Sequence, residues 1–269
     1  MQFKFFLINL LFKLFFFFGL KKNFYFRVLM IHDIRKNNFK TLESNLKHLK
    51  KNYNFINPKQ LKRDCFISGK KNLLLTFDDG FKSNFNFAKN VLRKLKIKAV
   101  FFVISDLISS NNNNKIKIIQ NLYPKKKIVN FEKYNIMSWS DLRNLEKMGH
   151  VIGSHTKSHL KLNKIKSIDI LKKEILSPIR IFKKNKIQKP NFFAYSFGDF
   201  YSFNKKCFII AKDKYDFIFS GIRGDNVKFN KILFRDNIED NYTIEMINFF
   251  IHGYSDFLYK KYRQIISKF

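Results

Sequence analysis

Two short stretches of this chain hold residues whose types and spacing could do chemistry. In Thr76-Phe77-Asp78-Asp79-Gly80, two adjacent carboxylates follow the apolar run Leu73-Leu74-Leu75. They therefore sit where a buried strand opens into a loop, the edge at which α/β folds place their sites. In Gly153-Ser154-His155-Thr156-Lys157-Ser158-His159, two imidazoles lie four apart after another short apolar run, Val151-Ile152. One helical turn at that spacing would put both rings on one face. Each stretch also has an ordinary reading, since Asp-Asp-Gly is a common turn and such a histidine pair is more often structural. Taken together, a carboxylate from one strand end and two histidines from another make a two-His, one-carboxylate metal site with open positions.

Such a site needs strands to deliver it. Short apolar runs at residues 28–31, 73–77, 99–104, 151–153, 191–195 and 217–220 are the expected strands. Amphipathic stretches at 87–95, 140–148 and 168–182 are expected helices between them, with Gly149 capping the second. Strand and helix alternating in this way predict an α/β architecture with a mainly parallel sheet, open or closed into a barrel. Residues 109–127, rich in Asn and Lys, read as an exposed loop or insertion.

The chain has 269 residues, enough to bury a sizeable core. With 35 Phe and 45% hydrophobic residues it is not a disordered chain, despite 53 Lys plus Arg against 20 Asp plus Glu. The net charge of +33 would draw it toward anionic polymers or lipids. Lys, Asn, Ile, Phe and Tyr all have A/T-rich codons, however, and the lysines are spread along the chain without a recognition-module pattern, so no specific nucleic-acid partner is expected. Cys65 and Cys207 are too few and too far apart for a disulfide scaffold or a thiolate zinc site, and read as reduced buried thiols. Residues 5–20 are apolar apart from Asn9 and Lys13 and are followed by Lys21 and Lys22. That is short of the ~20 apolar residues of a spanning helix, and charge follows the stretch where a secretory signal would carry a cleavage site. An interfacial anchor over residues 1–26 fits best, ahead of an uncleaved span or a helix packed on the protein itself, with residues 27–269 as the domain. Lys21, Lys22 and Arg27 would favour anionic lipid on the cytoplasmic face of the inner membrane.

The two chemical stretches resemble motifs of the polysaccharide deacetylases with a NodB-homology domain, carbohydrate esterase family 4. Thr76-Phe77-Asp78-Asp79-Gly80 is similar to the first motif and His155-Thr156-Lys157-Ser158-His159 to the second. Leu29-Met30-Ile31-His32 resembles the early Met-Tyr-His of the family, and Met137-Ser138-Trp139-Ser140-Asp141-Leu142 the lead into the second motif. Phe193-Ala194-Tyr195-Ser196-Phe197-Gly198 resembles the Phe-Ala-Tyr-Pro-[Phe/Tyr]-Gly third motif of one subgroup, with Ser196 in place of Pro. The resemblance implies a distorted (β/α) barrel of about seven strands. It also implies a divalent metal, most often zinc, on Asp79, His155 and His159, with Asp78 as general base and the Phe197 backbone N–H as oxyanion donor. The substrate implied is an N-acylated amino sugar of a surface glycan or of its lipid-linked precursor. A non-catalytic glycan- or membrane-binding relative is the alternative, against which the four intact residues Asp78, Asp79, His155 and His159 argue. Departures are visible as well. Ala194 stands where most members carry an Arg that braces the base, and no fourth motif is recognisable. His252 and His32 are the candidates for further catalytic histidines, while His48 and His150 read as surface residues. Arg235, in Leu233-Phe234-Arg235, matches a subgroup Leu-Pro-Arg pattern or a structural salt bridge equally well.

Overall fold

The computed structural model describes residues 24–61, 71–109, 112–123, 134–226 and 231–269, together with Leu10. Nine strands form one sheet among these residues: β1 (Phe26–Ile31), β2 (Asn54–Phe55), β3 (Asn72–Phe77), β4 (Ala99–Val103), β5 (Val151–Ser154), β6 (Phe192–Ala194), β7 (Phe217–Phe219), β8 (Ile232–Leu233) and β9 (Asp236–Asn237). Their order is β8-β7-β6-β5-β4-β3-β1-β9, with β2 also on β3, and all these pairings are parallel. A parallel sheet is covered on both faces, which is why β1, β3 and β4 are buried at every residue and are mostly apolar, with Arg27, Asn72 and Thr76 the buried polar exceptions.

The sheet curls into an open half-barrel, and the chain itself shows why. β8 and β9 lie at opposite ends of the strand order, yet only Phe234 and Arg235 separate them in sequence. Three peptide steps span at most roughly 11 Å, so the two ends of the sheet must come together. Phe26, Val28, Leu74, Val100, Phe102, Phe192, Ala194, Phe219 and Leu233 pack in one cluster on the concave side. Leu29, Ile31, Leu75, Phe77, Phe101 and Val103 point the other way, into a larger cluster shared with the helices. The period-2 alternation of side chains along β1, β3 and β4 thus builds two cores from one set of strands.

The six expected strands are present, and the barrel expected from the resemblance takes this curled form. Three readings are corrected. Residues 109–127 are not simply a loop: Asn112–Leu122 is a helix, because Ile116, Ile118, Ile119 and Leu122 recur at helical spacing and pack on Ile104 and Leu107. Arg27 does not face a lipid surface. It is 1% exposed and pairs with Asp236 at 3.3 Å and Asp256 at 2.7 Å. His48 is exposed as expected, but His150 is buried, 1% exposed, with its Nδ1 accepting the Ala99 N–H at 3.1 Å.

Burial, with Lys98 and Lys59 nearby, pushes the His150 imidazole down to about 4. The unfolded chain binds a proton there below about 6.5 while the folded one does not until about 4, so stability rises with pH across that window. The full shift is worth roughly 3 kcal/mol. Denaturant unfolding at pH 7 and pH 4.5 should therefore show a large loss on acidification that His150→Gln, which keeps an acceptor for Ala99, reduces. Equal losses in both proteins would contradict the assignment.

Candidate metal centre

Three strand ends and the seam of the sheet supply the site. The ladder of β3 runs one residue past its end, where the Asp78 N–H donates to the Ile31 carbonyl at 2.9 Å. The chain then turns sharply, with Asp79 at φ 73° and Gly80 at φ 93°. The left-handed turn needs glycine at its second position, where a side chain would also press on Val103 at 3.3 Å. It leaves Asp78 and Asp79 side by side at the C-terminal edge of the sheet, 1% and 5% exposed.

After β5 the His155 N–H still donates to Val103 at 3.0 Å. The histidine segment is not the helical turn that the spacing suggested. It is a bent loop with Thr156 at φ 64° and His159 at φ 58°, closed by the His159 N–H on the Thr156 hydroxyl at 3.1 Å. The bend still brings the rings together, their centroids 5.1 Å apart. The Ser196 hydroxyl after β6 donates to the Leu160 carbonyl, so the serine found in place of proline ties down the residue next to His159.

Ligand atoms of Asp79, His155 and His159 lie within 4.8 Å of one another, and all three residues are buried. Asp79 Oδ1 is 3.5 Å from His155 Nε2 and 3.8 Å from His159 Nε2. Buried without a hydrogen-bond partner among the described residues, that oxygen is an orphan acceptor facing two ring nitrogens, which is what a cation site requires. His155 Nδ1 lies 3.0 Å from the Ala194 carbonyl; donating there fixes the tautomer that leaves a lone pair on Nε2. Burial, with His155 and His32 nearby, holds His159 well below the usual imidazole range, so it is neutral as a ligand must be. The donor set of two imidazoles and one carboxylate fits a catalytic divalent-metal site.

The neighbouring carboxylates are driven apart. Burial pushes both upward. At Asp78 the Arg235 guanidinium, helped by His155 and His32, more than offsets this and holds the carboxyl below its usual range; at Asp79 the offset is incomplete and the carboxyl is raised. Arg235 is 1% exposed and forks onto Asp78, Nη1 to Oδ1 at 2.7 Å and Nη2 to Oδ2 at 2.9 Å. It sits between β8 and β9, where the two ends of the sheet meet, and its Nε donates to the Ser220 carbonyl. An arginine against Asp78, which Ala194 does not provide, is thus supplied from the seam. The only sequence signal for it was Leu233-Phe234-Arg235, which a plain salt bridge explained equally well.

The other expected residues divide. Phe197 follows β6 at φ 61°, its ring 4.6 Å from that of His159, and its N–H has no acceptor among the described residues. His32 is exposed just beyond β1, near Asp78, Asp79 and His159. His252 is elsewhere. It follows helix Ile244–Ile251 and packs on Phe24 and Tyr53, by the edge where the strands begin. A cavity of about 820 Å³, lined in part by Val151, Phe192 and Phe217, also opens at that edge and holds none of the metal-site residues.

Residues 67–214 match the family model described as polysaccharide deacetylase. No curated protein matches the sequence. Among solved structures, the Streptococcus pyogenes deacetylase PplD, in complex with acetate, is similar with a TM-score of 0.65 and 20% identity, over 84% of this chain and 98% of that one. IcaB from Ammonifex degensii is similar with a TM-score of 0.66 and 17% identity, over 86% and 98%. A de-N-acetylase from Aggregatibacter actinomycetemcomitans gives a TM-score of 0.64 and 16% identity, over 84% and 99%. At these identities the likeness is one of fold.

Proposed function

The chain belongs to the polysaccharide deacetylase family, and on that premise we propose that it is a zinc-dependent hydrolase removing an N-acetyl or related acyl group from an amino sugar of a surface polysaccharide or its lipid-linked precursor. The observation that carries this reading is the buried Asp79, His155 and His159 cluster with an ionised, arginine-braced Asp78 beside it. A divalent ion held by Asp79, His155 and His159 would supply a Lewis acid that polarises the acyl carbonyl and acidifies a water in the site. Asp78 does the proton work. Arg235 occupies one lone pair on each of its oxygens and leaves capacity on Oδ2, which lies 3.7 Å from His155 Nε2 and faces the cluster. That oxygen takes a proton as water adds to the carbonyl carbon. The Phe197 N–H, with no acceptor of its own, donates to the oxygen that becomes negative. The C–N bond then breaks, the nitrogen gains a proton, and acetate and a free amine leave. In this reading His32, exposed near the site, gives that nitrogen its proton. Purified chain incubated with N-acetylated hexosamine oligomers should release acetate and free amine in equal amounts, stop on chelation, and resume on adding zinc. Release that survives chelation, or acetate without amine, would contradict the reading.

The apolar residues 5–20, followed by Lys21 and Lys22, are proposed to hold the domain on an anionic membrane surface, at the cytoplasmic face of the inner membrane. Apart from Leu10 they lie outside the described residues, and no described helix is long and apolar enough to cross a membrane. Full-length protein should pellet with membranes, and deleting residues 1–22 should move most of it to the soluble fraction. An unchanged pellet would refute the anchor.

A further inference from the structure

Helix Ile168–Lys184 carries a proline in its interior, Pro178. A helical N–H at that position would bond the Glu174 carbonyl four residues back; proline has none, and its ring crowds that carbonyl. The Glu174 carbonyl instead accepts the Lys157 N–H at 2.9 Å. The Glu174 carboxylate, on a residue 4% exposed, accepts the Ser158 N–H at 2.9 Å and the Ser158 hydroxyl at 2.6 Å. One residue thus takes three donors from Lys157 and Ser158, which lie between the two histidines.

The loop needs such a restraint. Thr156 and His159 both adopt left-handed backbone conformations that non-glycine residues populate at a cost. The Asp106–Lys157 ion pair at 2.6 Å and the Thr156–His159 bond constrain the loop on its other sides. We propose that Glu174, its carbonyl released by Pro178, is a positioning residue that fixes the distance between His155 and His159 and so sets metal affinity. This rests on the metal-site reading above. Glu174 touches neither ligand, and it acts through the backbone that joins them.

The test is zinc affinity of the full chain, measured by competition with a chromogenic chelator, alongside the unfolding temperature of the metal-free protein. Glu174→Gln, which replaces one of the two accepting oxygens with an amide donor, should weaken zinc binding about 10–100-fold, the usual range for losing an outer partner of a metal ligand. Ser158→Ala should weaken it less, and the double variant should be no weaker than Glu174→Gln alone, since both break the same contact. Pro178→Ala gives the helix an N–H that competes for the Glu174 carbonyl. It should weaken zinc binding several-fold while the metal-free protein unfolds at no lower a temperature, a pairing that a merely structural role would not give. Zinc affinities within twofold of wild type in Glu174→Gln, Ser158→Ala and Pro178→Ala overturn the proposal, whatever happens to the unfolding temperature. A wild-type chain that binds no zinc overturns the metal-site reading and the proposal with it.

Discussion

Asp78→Asn should keep the metal and lose nearly all of the activity. Removing a positioned general base typically costs about 10²–10⁴-fold. None of the three atoms that converge on the metal position belongs to Asp78, so zinc affinity should change by no more than a few-fold. Asp79→Asn should release the metal and lose the activity with it, because the orphaned Oδ1 is its contribution to the cluster. The pair of variants separates two adjacent carboxylates that composition alone cannot tell apart. Metal lost in Asp78→Asn and kept in Asp79→Asn would show that the aspartates have exchanged roles.

Arg235→Met should strongly destabilise the fold and shift the pH profile. The guanidinium is almost wholly buried and forks onto an equally buried carboxylate. Removing one member of a buried pair leaves the other charge uncompensated, at a cost of about 3–5 kcal/mol. The sign with pH also follows. Arg235 holds Asp78 below its ordinary range, so the stability it contributes is full above the unfolded value of about 3.9 and is lost only as pH falls through the lower folded value. Without Arg235, burial acts on Asp78 unopposed by its main partner, and the acid limb of kcat/KM should move to higher pH. Arg235→Lys should restore the charge but not the fork, and so recover the pH profile only in part. A pH profile and unfolding free energy for Arg235→Met that match wild type would remove Arg235 from the site.

The sequence exposed the parts of this site that lie in contiguous residues. Asp78 and Asp79 stand out because two adjacent charges end the run Leu73-Leu74-Leu75-Thr76-Phe77, and His155 and His159 because two metal-type side chains follow a second apolar run. What brings the four together is the parallel sheet, which places the ends of β3 and β5 on one edge with β4 between them. The parts that stayed hidden depend on distance in sequence. Arg235 reaches Asp78 across 157 positions, because two-residue strands too short to leave a pattern draw the ends of the sheet together. Glu174 looks like one more polar residue of an amphipathic helix until Pro178 is seen to free its carbonyl. His150 was misread because a lone histidine after Gly149 resembles a helix-capping turn at the surface, whereas its ring is buried beside Phe101.

The central claim is that Asp79, His155 and His159 hold the metal on which the chemistry depends, and anomalous diffraction at the zinc edge from zinc-loaded crystals tests it most directly. The account predicts one peak per chain, with a carboxylate oxygen of Asp79, Nε2 of His155 and a ring nitrogen of His159 each within roughly 2.0–2.2 Å of it. Asp78 should remain forked to Arg235 alongside. Zinc density ligated by other residues, or none at this edge of the sheet, would contradict it.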